Sequence, residues 1–190
     1  MTLGRLLLTP EDKEAAGRVR RLRLLGLGDR AEPEFGVFAD RLATVAAAPY
    51  AMVNFIDEHR QFFGGLHQPG DRPLIAVADQ DGADREPVRR LGREYGFCPH
   101  VVVRRKALVL EDVHDYPRFA ANPIVDELGV RSYLGAPLVD GTGLALGTVC
   151  AVDLEPRPWG RSGLATIKAL AAELVERIER WPSGGAGDEA

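Results

Sequence analysis

Apolar positions recur along this chain in two rhythms, one helical and one extended, and their order predicts helices at both ends of a hairpin-rich middle. Ala15, Val19, Leu22 and Leu25 recur at helical spacing behind Thr9-Pro10-Glu11-Asp12. There Thr9 can cap, Pro10 suits the first helical position, and Asp12 stands where a capping-box acid reaches back. Gly26-Leu27-Gly28 ends that helix. A second begins near Pro33, carries Phe35, Phe38, Leu42 and Val45 on one stripe, and is closed by Pro49.

Between Tyr50 and Ile56 the rhythm changes to a short apolar run, too brief for a helix and suited to a buried strand. Asp57-Glu58-His59 is polar turn material and Gln61-Phe62-Phe63 resumes the apolar run, which reads as a hairpin. Leu66 to Arg85 is rich in Asp, Gly and Pro, with Leu74, Ile75 and Val77 as an apolar island. A loop of that length in a compact domain is usually a functional lid or disordered. Pro87 to Glu94 adds a candidate short helix. Lys106 to Glu111 reads as a strand, and Asp112 to Val130, punctuated by Pro117, Pro123 and Gly129, as loop with a helical turn. Ser132–Val139 and Leu144–Asp153 are strands joined by Asp140-Gly141-Thr142-Gly143, a strong hairpin signal. Ser162 is placed to cap a long last helix with Leu164, Ile167, Ala171, Leu174 and Ile178 on its stripe, and Pro182 stops it.

Strands joined mostly by hairpins give one antiparallel sheet, with Tyr50–Ile56 and Leu144–Asp153 as its inner strands and helices from both chain ends on one face. The expected class is therefore α+β. Composition changes little: 45% hydrophobic and 27% charged residues suit a globular core. A net charge of −4 argues against a nucleic-acid surface. Arg18, Arg20, Arg21 and Arg23, offset by Glu11, Asp12 and Glu14, read as a solvated helix face. No apolar stretch approaches the roughly 20 residues of a membrane span, and Met1–Leu8 lacks a cleavage pattern, so the expected location is the cytoplasm. Cys98 and Cys150 read as reduced thiols, although one disulfide is arithmetically possible.

Several segments, in order, carry a likeness. Arg21 to Asp29 with Glu34-Phe35, Val53 to Phe63, Gly96-Phe97-Cys98-Pro99-His100 and Leu108 to Asp112 resemble GAF domains, as do Asp115 to Pro123, Gly135 to Leu138 and Leu146 to Asp153. The likeness spans about Arg20 to Arg180. It implies a PAS-like sheet of about six strands, with terminal helices on one face and a ligand pocket on the other. It also implies the organisation: a helical extension over 1–30, a GAF domain over 31–181 with 66–95 as an inserted loop, and a tail over 182–190. GAF domains bind small ligands or partners and regulate attached or separate proteins. The implied function is a non-catalytic sensing or interaction module in signalling. No second module follows in the chain, so its expected output runs through a partner, or through a homodimer paired by the terminal helices. The family names no single ligand or cofactor.

The pocket is expected opposite the helices, between the sheet and the segments 96–103 and 116–130, where apolar walls carry few polar groups. The candidate ligand-binding residues are Phe97, Cys98, His100, Asp112, Phe119, Asn122 and Tyr133. Bilin-binding relatives attach their chromophore through a pocket cysteine usually followed at once by histidine, whereas here Pro99 intervenes before His100. Cys98, His100, His114 and Cys150 form no tight metal-binding pair, so no metal is expected. Cys150, within an apolar strand, reads as a packed core thiol. The alternative function is a redox enzyme resembling free methionine-(R)-sulfoxide reductases, with Cys98 as nucleophile. Such chemistry needs a resolving cysteine, and the stretch Pro117 to Ala121 after His114 has none.

Overall fold

The computed structural model describes residues 9–75 and 88–182. Met1–Leu8, Val77, the beginning of the candidate helix at Pro87, and the tail from residue 183 lie outside them. Helices α1 (Ala15–Leu25) and α2 (Pro33–Ala46) precede the hairpin β1 (Tyr50–Ile56) and β2 (Arg60–His67). Then come β3 (Arg90–Gly92), α3 (Cys98–Arg104), β4 (Leu108–Leu110), a 3-10 turn at Val113–Asp115, and the short helices α4 (Pro117–Ala120) and α5 (Pro123–Leu128). The hairpin β5 (Ser132–Val139) and β6 (Ala145–Asp153) leads to α6 (Gly160–Glu179). The six strands form one sheet in the order β3-β2-β1-β6-β5-β4, with every described pairing antiparallel. The expected inner strands, β1 and β6, are central. Among the described residues no helix is long and apolar enough to cross a membrane.

Both faces of the sheet are covered, which is why its central strands read as unbroken apolar runs. On one face, Leu22 of α1, Phe35, Phe38 and Leu42 of α2, and Ile167, Leu174 and Ile178 of α6 bury against Val53, Phe55, Leu134, Leu138 and Val149. On the other, Tyr50, Met52, Ile56 and Val152 meet Phe97, Val101, Phe119, Ile124 and Val130 from the connections. Truncating one such aromatic residue costs about 3–5 kcal/mol.

Five expectations change. The first helix starts at Ala15 instead of Pro10. The Asp12 carboxylate, instead of closing a capping box, takes both guanidinium nitrogens of Arg18 at 2.6 and 3.1 Å. Arg18 is consequently no part of a solvated face: it is 1% exposed and its Nε donates to the Ala145 carbonyl. The candidate helix near 87–94 is instead an edge strand, β3, because the free edge of Arg60–Phe62 on β2 pairs with Arg90–Gly92. Helix α6 begins two residues before Ser162, where the Gly160 N–H donates to the Glu111 carboxylate at 3.0 Å and a distant side chain replaces the local cap.

Candidate functional site

Alternation along the inner strands places polar side chains on the face away from the long helices. On β1 Tyr50, Met52, Asn54 and Ile56 share that face, and on β6 Thr148, Cys150 and Val152 do. The register sets Asn54 opposite Thr148 and Met52 opposite Cys150. Tyr133 of β5 joins them by folding back along its own strand. A Cβ at Gly135 would collide with the Tyr133 hydroxyl, so the glycine supplies the space in which the ring lies.

Helix α3 closes over this face with Cys98 as its first residue. Asn122 holds its approach: its Oδ1 accepts from the Gly96 N–H and its Nδ2 donates to the Gly96 carbonyl, each at 2.9 Å. The Phe97 ring stands edge-on to Tyr133 and Phe119, at centroid distances of 5.3 and 5.6 Å. His100 stands edge-on to Phe119 at 5.2 Å.

The result is a buried thiol cluster. Thr148 Oγ1 donates to Cys98 Sγ at 3.0 Å, Tyr133 Oη lies 3.1 Å from it, and Cys150 Sγ lies 3.8 Å from it. Burial alone raises the Cys98 thiol, but hydrogen bonds from Cys150, Thr148, Tyr133 and Asn54 outweigh it and bring its pKa down to about 7. The hydrogen bond with Cys98, together with burial, pushes Cys150 well up. Burial, and then the charges of the two thiols, push Tyr133 well up as well. Cys98 is thus the member of the cluster that ionises first.

Beside the cluster lies a cavity lined by Asn54, Gln61, Phe97, Cys98, Tyr133 and Cys150, among others, and roofed by Leu74 and Ile75. About 20 Å³ of it is accessible to water, room for about one water molecule. Asn54 Nδ2 donates to Gln61 Oε1 at 2.9 Å, and Gln61 Nε2 donates to the carbonyls of Gly92 and Tyr95. Asn54 Oδ1, fully buried, has no hydrogen-bond partner in the protein. The roof is tied by Gln68, whose Oε1 accepts from the Leu74 and Ile75 N–H groups while its Nε2 donates to the Ile75 carbonyl. Tyr50 Oη donates to the Arg72 carbonyl beside it.

Of the seven residues expected in the site, Phe97, Cys98 and Tyr133 line this cavity. Phe119 and His100 stack behind Phe97, and Asn122 acts on the backbone of Gly96 and caps α5. Asp112 is not among the lining residues. It caps the 3-10 turn by accepting from the His114 N–H, and Arg131, by hydrogen bond and charge, holds its carboxyl below the usual range. Asn54 and Gln61 on the cavity wall and Thr148 at the Cys98 sulfur have no role in the sequence analysis, and Cys150, expected as a packed core thiol, lies beside Cys98. Their signal was a single polar side chain inside a strand that otherwise reads as apolar, Asn54 in β1 and Thr148 in β6.

The sequence pattern of the GAF domain family matches residues 32–178, and the chain belongs to that family. Over 185 residues it is 31% identical to the cyclic di-GMP phosphodiesterase PA2567 of Pseudomonas aeruginosa, matching 95% of this chain and 28% of that protein's length. The free methionine-R-sulfoxide reductase of Neisseria meningitidis superposes with a TM-score of 0.58 at 15% identity, covering 90% of this chain and 93% of that one. The GAF domain of an Acinetobacter phosphoenolpyruvate-protein phosphotransferase gives 0.56 at 15% identity, covering 90% and 96%. The PixJ GAF domain of Thermosynechococcus elongatus gives 0.57 at 16% identity, covering 90% of each chain. Likeness at these identities is a likeness of fold.

Proposed function

We propose that this chain is a regulatory GAF module that recognises a small ligand at the Cys98 cavity and transmits its occupancy to a signalling protein without turning the ligand over. The observation that carries the reading is Asn54 Oδ1, a fully buried acceptor without a partner on the wall of a mostly apolar cavity. Buried acceptors left unmatched cost about 1–3 kcal/mol, so a ligand that brings an N–H or O–H group to this point gains that much over one that does not. The ligand class is a compact, mostly apolar molecule with a donor at one end.

Recognition is coupled to movement by the size of the site. A cavity with room for about one water admits a larger guest only when Leu74 and Ile75 withdraw, and withdrawal breaks the Gln68 hydrogen bonds. Occupancy therefore changes the segment from Gln68 to Ile75.

Output runs through the opposite face. Leu24 on α1 is 69% exposed, and α6 borders an open groove of about 670 Å³ with Leu164, Lys168 and Val175 on its helical side. Pairing of these terminal helices in a homodimer covers both. The relative PA2567 extends well beyond the matched region, which supports a role beside a catalytic output. Mass spectrometry of the purified protein, with its visible absorption spectrum, tests the reading. A small molecule released on denaturation supports it, and a protein that carries and binds none leaves only an interaction role.

A further inference from the structure

We propose that Cys98 and Cys150 are a redox-active pair, which a hydroperoxide converts to an intramolecular disulfide inside the cavity. The inference shares the cavity with the ligand reading and stands without it. The chain has two cysteines, 52 positions apart in sequence, and the fold brings their sulfurs to 3.8 Å. That is van der Waals contact, and a disulfide needs about 2.05 Å. Cys150 is fixed in mid-sheet by its pairing to Met52 and Gly135. Cys98 lies on the short helix α3 laid over the sheet, so a side-chain rotation with a small shift of that helix closes the gap.

The surroundings separate the two sulfurs by role. Thr148 and Tyr133 aim hydroxyl groups at Cys98 and stabilise it as a thiolate, the reactive form. Cys150 keeps its proton. In the first step the Cys98 thiolate attacks one peroxide oxygen and the O–O bond breaks. Cys98 becomes a sulfenic acid, oxidised by two electrons, and the peroxide is reduced to water or an alcohol, which takes up the proton Cys98 had lost. In the second step Cys150 attacks Cys98 Sγ, the S–O bond breaks, and hydroxide leaves as water with the Cys150 proton. Two thiols and one hydroperoxide thus give one disulfide, one water or alcohol, and one further water.

No resolving partner for Cys98 follows His114 along the chain. The partner instead arrives across the sheet. Leu74 and Ile75 are buried on the wall of the same cavity, so oxidation waits on its opening, and Leu74→Ala accelerates it.

The test exposes the full chain, without added ligand, to hydrogen peroxide, then denatures, alkylates and weighs it. The expected result is joint loss of both alkylatable thiols, a mass lower by two hydrogens, a Cys98–Cys150 cross-linked peptide, and full recovery with dithiothreitol. In Cys150→Ser the product is instead a dimedone-trapped sulfenic acid at Cys98. If that variant fails to fold, the cross-linked peptide of the wild type decides. Survival of both thiols in the folded protein, with the disulfide appearing only after unfolding, overturns the proposal. So does oxidation that joins two chains.

Discussion

Tyr133 and Gly135 lie two residues apart on β5, and the tyrosine ring folds back over the glycine so that its hydroxyl reaches Cys98 on the facing helix. One absent Cβ therefore sets the geometry of the buried thiol cluster. Gly135→Ala is expected to displace the ring and lower stability by about 1–3 kcal/mol, the usual cost of overpacking. Tyr133→Phe removes only the hydroxyl and is expected to cost about 1 kcal/mol. Urea denaturation of the two variants checks the order, and an undisturbed Gly135→Ala would contradict the placement of the ring.

Cys98 is expected to react with a small alkylating reagent along a pH profile with its midpoint near 7, against about 8.5 for an ordinary thiol. Thr148→Val and Tyr133→Phe each remove a donor to the thiolate and are expected to move the midpoint upward. A profile centred near 8.5 in the wild type would remove the electrostatic distinction between the two sulfurs.

Much of this architecture was legible in the sequence. Tyr50–Ile56 and Ser132–Val139 are the observed strands residue for residue, because short apolar runs bounded by turn residues leave little freedom of assignment. The sides of the sheet also followed from the stripes of α2 and α6. Helix starts were less legible, since Asp12 and Glu111 do not act as local caps. Asp12 binds Arg18, and Glu111 receives the first turn of a helix 49 residues away. The candidate site was half legible. Phe97 and Cys98 stood out between the strands, whereas Asn54 and Thr148 were hidden inside strands buried on both faces, and Cys150 read there as core packing.

The pair formed by Arg18 and Asp12, whose side chains are 1% and 4% exposed, anchors α1 to the start of β6. Asp12→Asn leaves the Arg18 charge buried without its counter-ion, and the expected loss is about 3–5 kcal/mol by chemical denaturation. The pH dependence has a definite sign. Burial raises the Asp12 carboxyl, but Arg18, aided by Arg93, brings it below its ordinary value of 3.8. The folded state therefore binds this proton more weakly than the unfolded chain. The contribution is whole above pH 3.8 and is lost as pH falls through the lower folded value. Acid unfolding should begin at higher pH in Asp12→Asn than in the wild type.

Self-association through the terminal helices predicts a dimer by light scattering at high micromolar concentration. Leu24→Glu places a charge on the exposed face of α1 and is expected to yield a monomer with unchanged unfolding. A wild-type monomer would contradict the arrangement.

Recognition of a small ligand at the Cys98 cavity is tested most directly by thermal denaturation of the full chain against nucleotides, tetrapyrroles and amino-acid derivatives, with Asn54→Leu in parallel. A ligand present at 100 times its Kd stabilises by about 2.7 kcal/mol, a rise of roughly 5–10 °C for a chain of this size. The account predicts such a rise for at least one compact compound bearing an N–H or O–H donor, and its loss in Asn54→Leu. No shift with any compound, or equal shifts in both proteins, would contradict it.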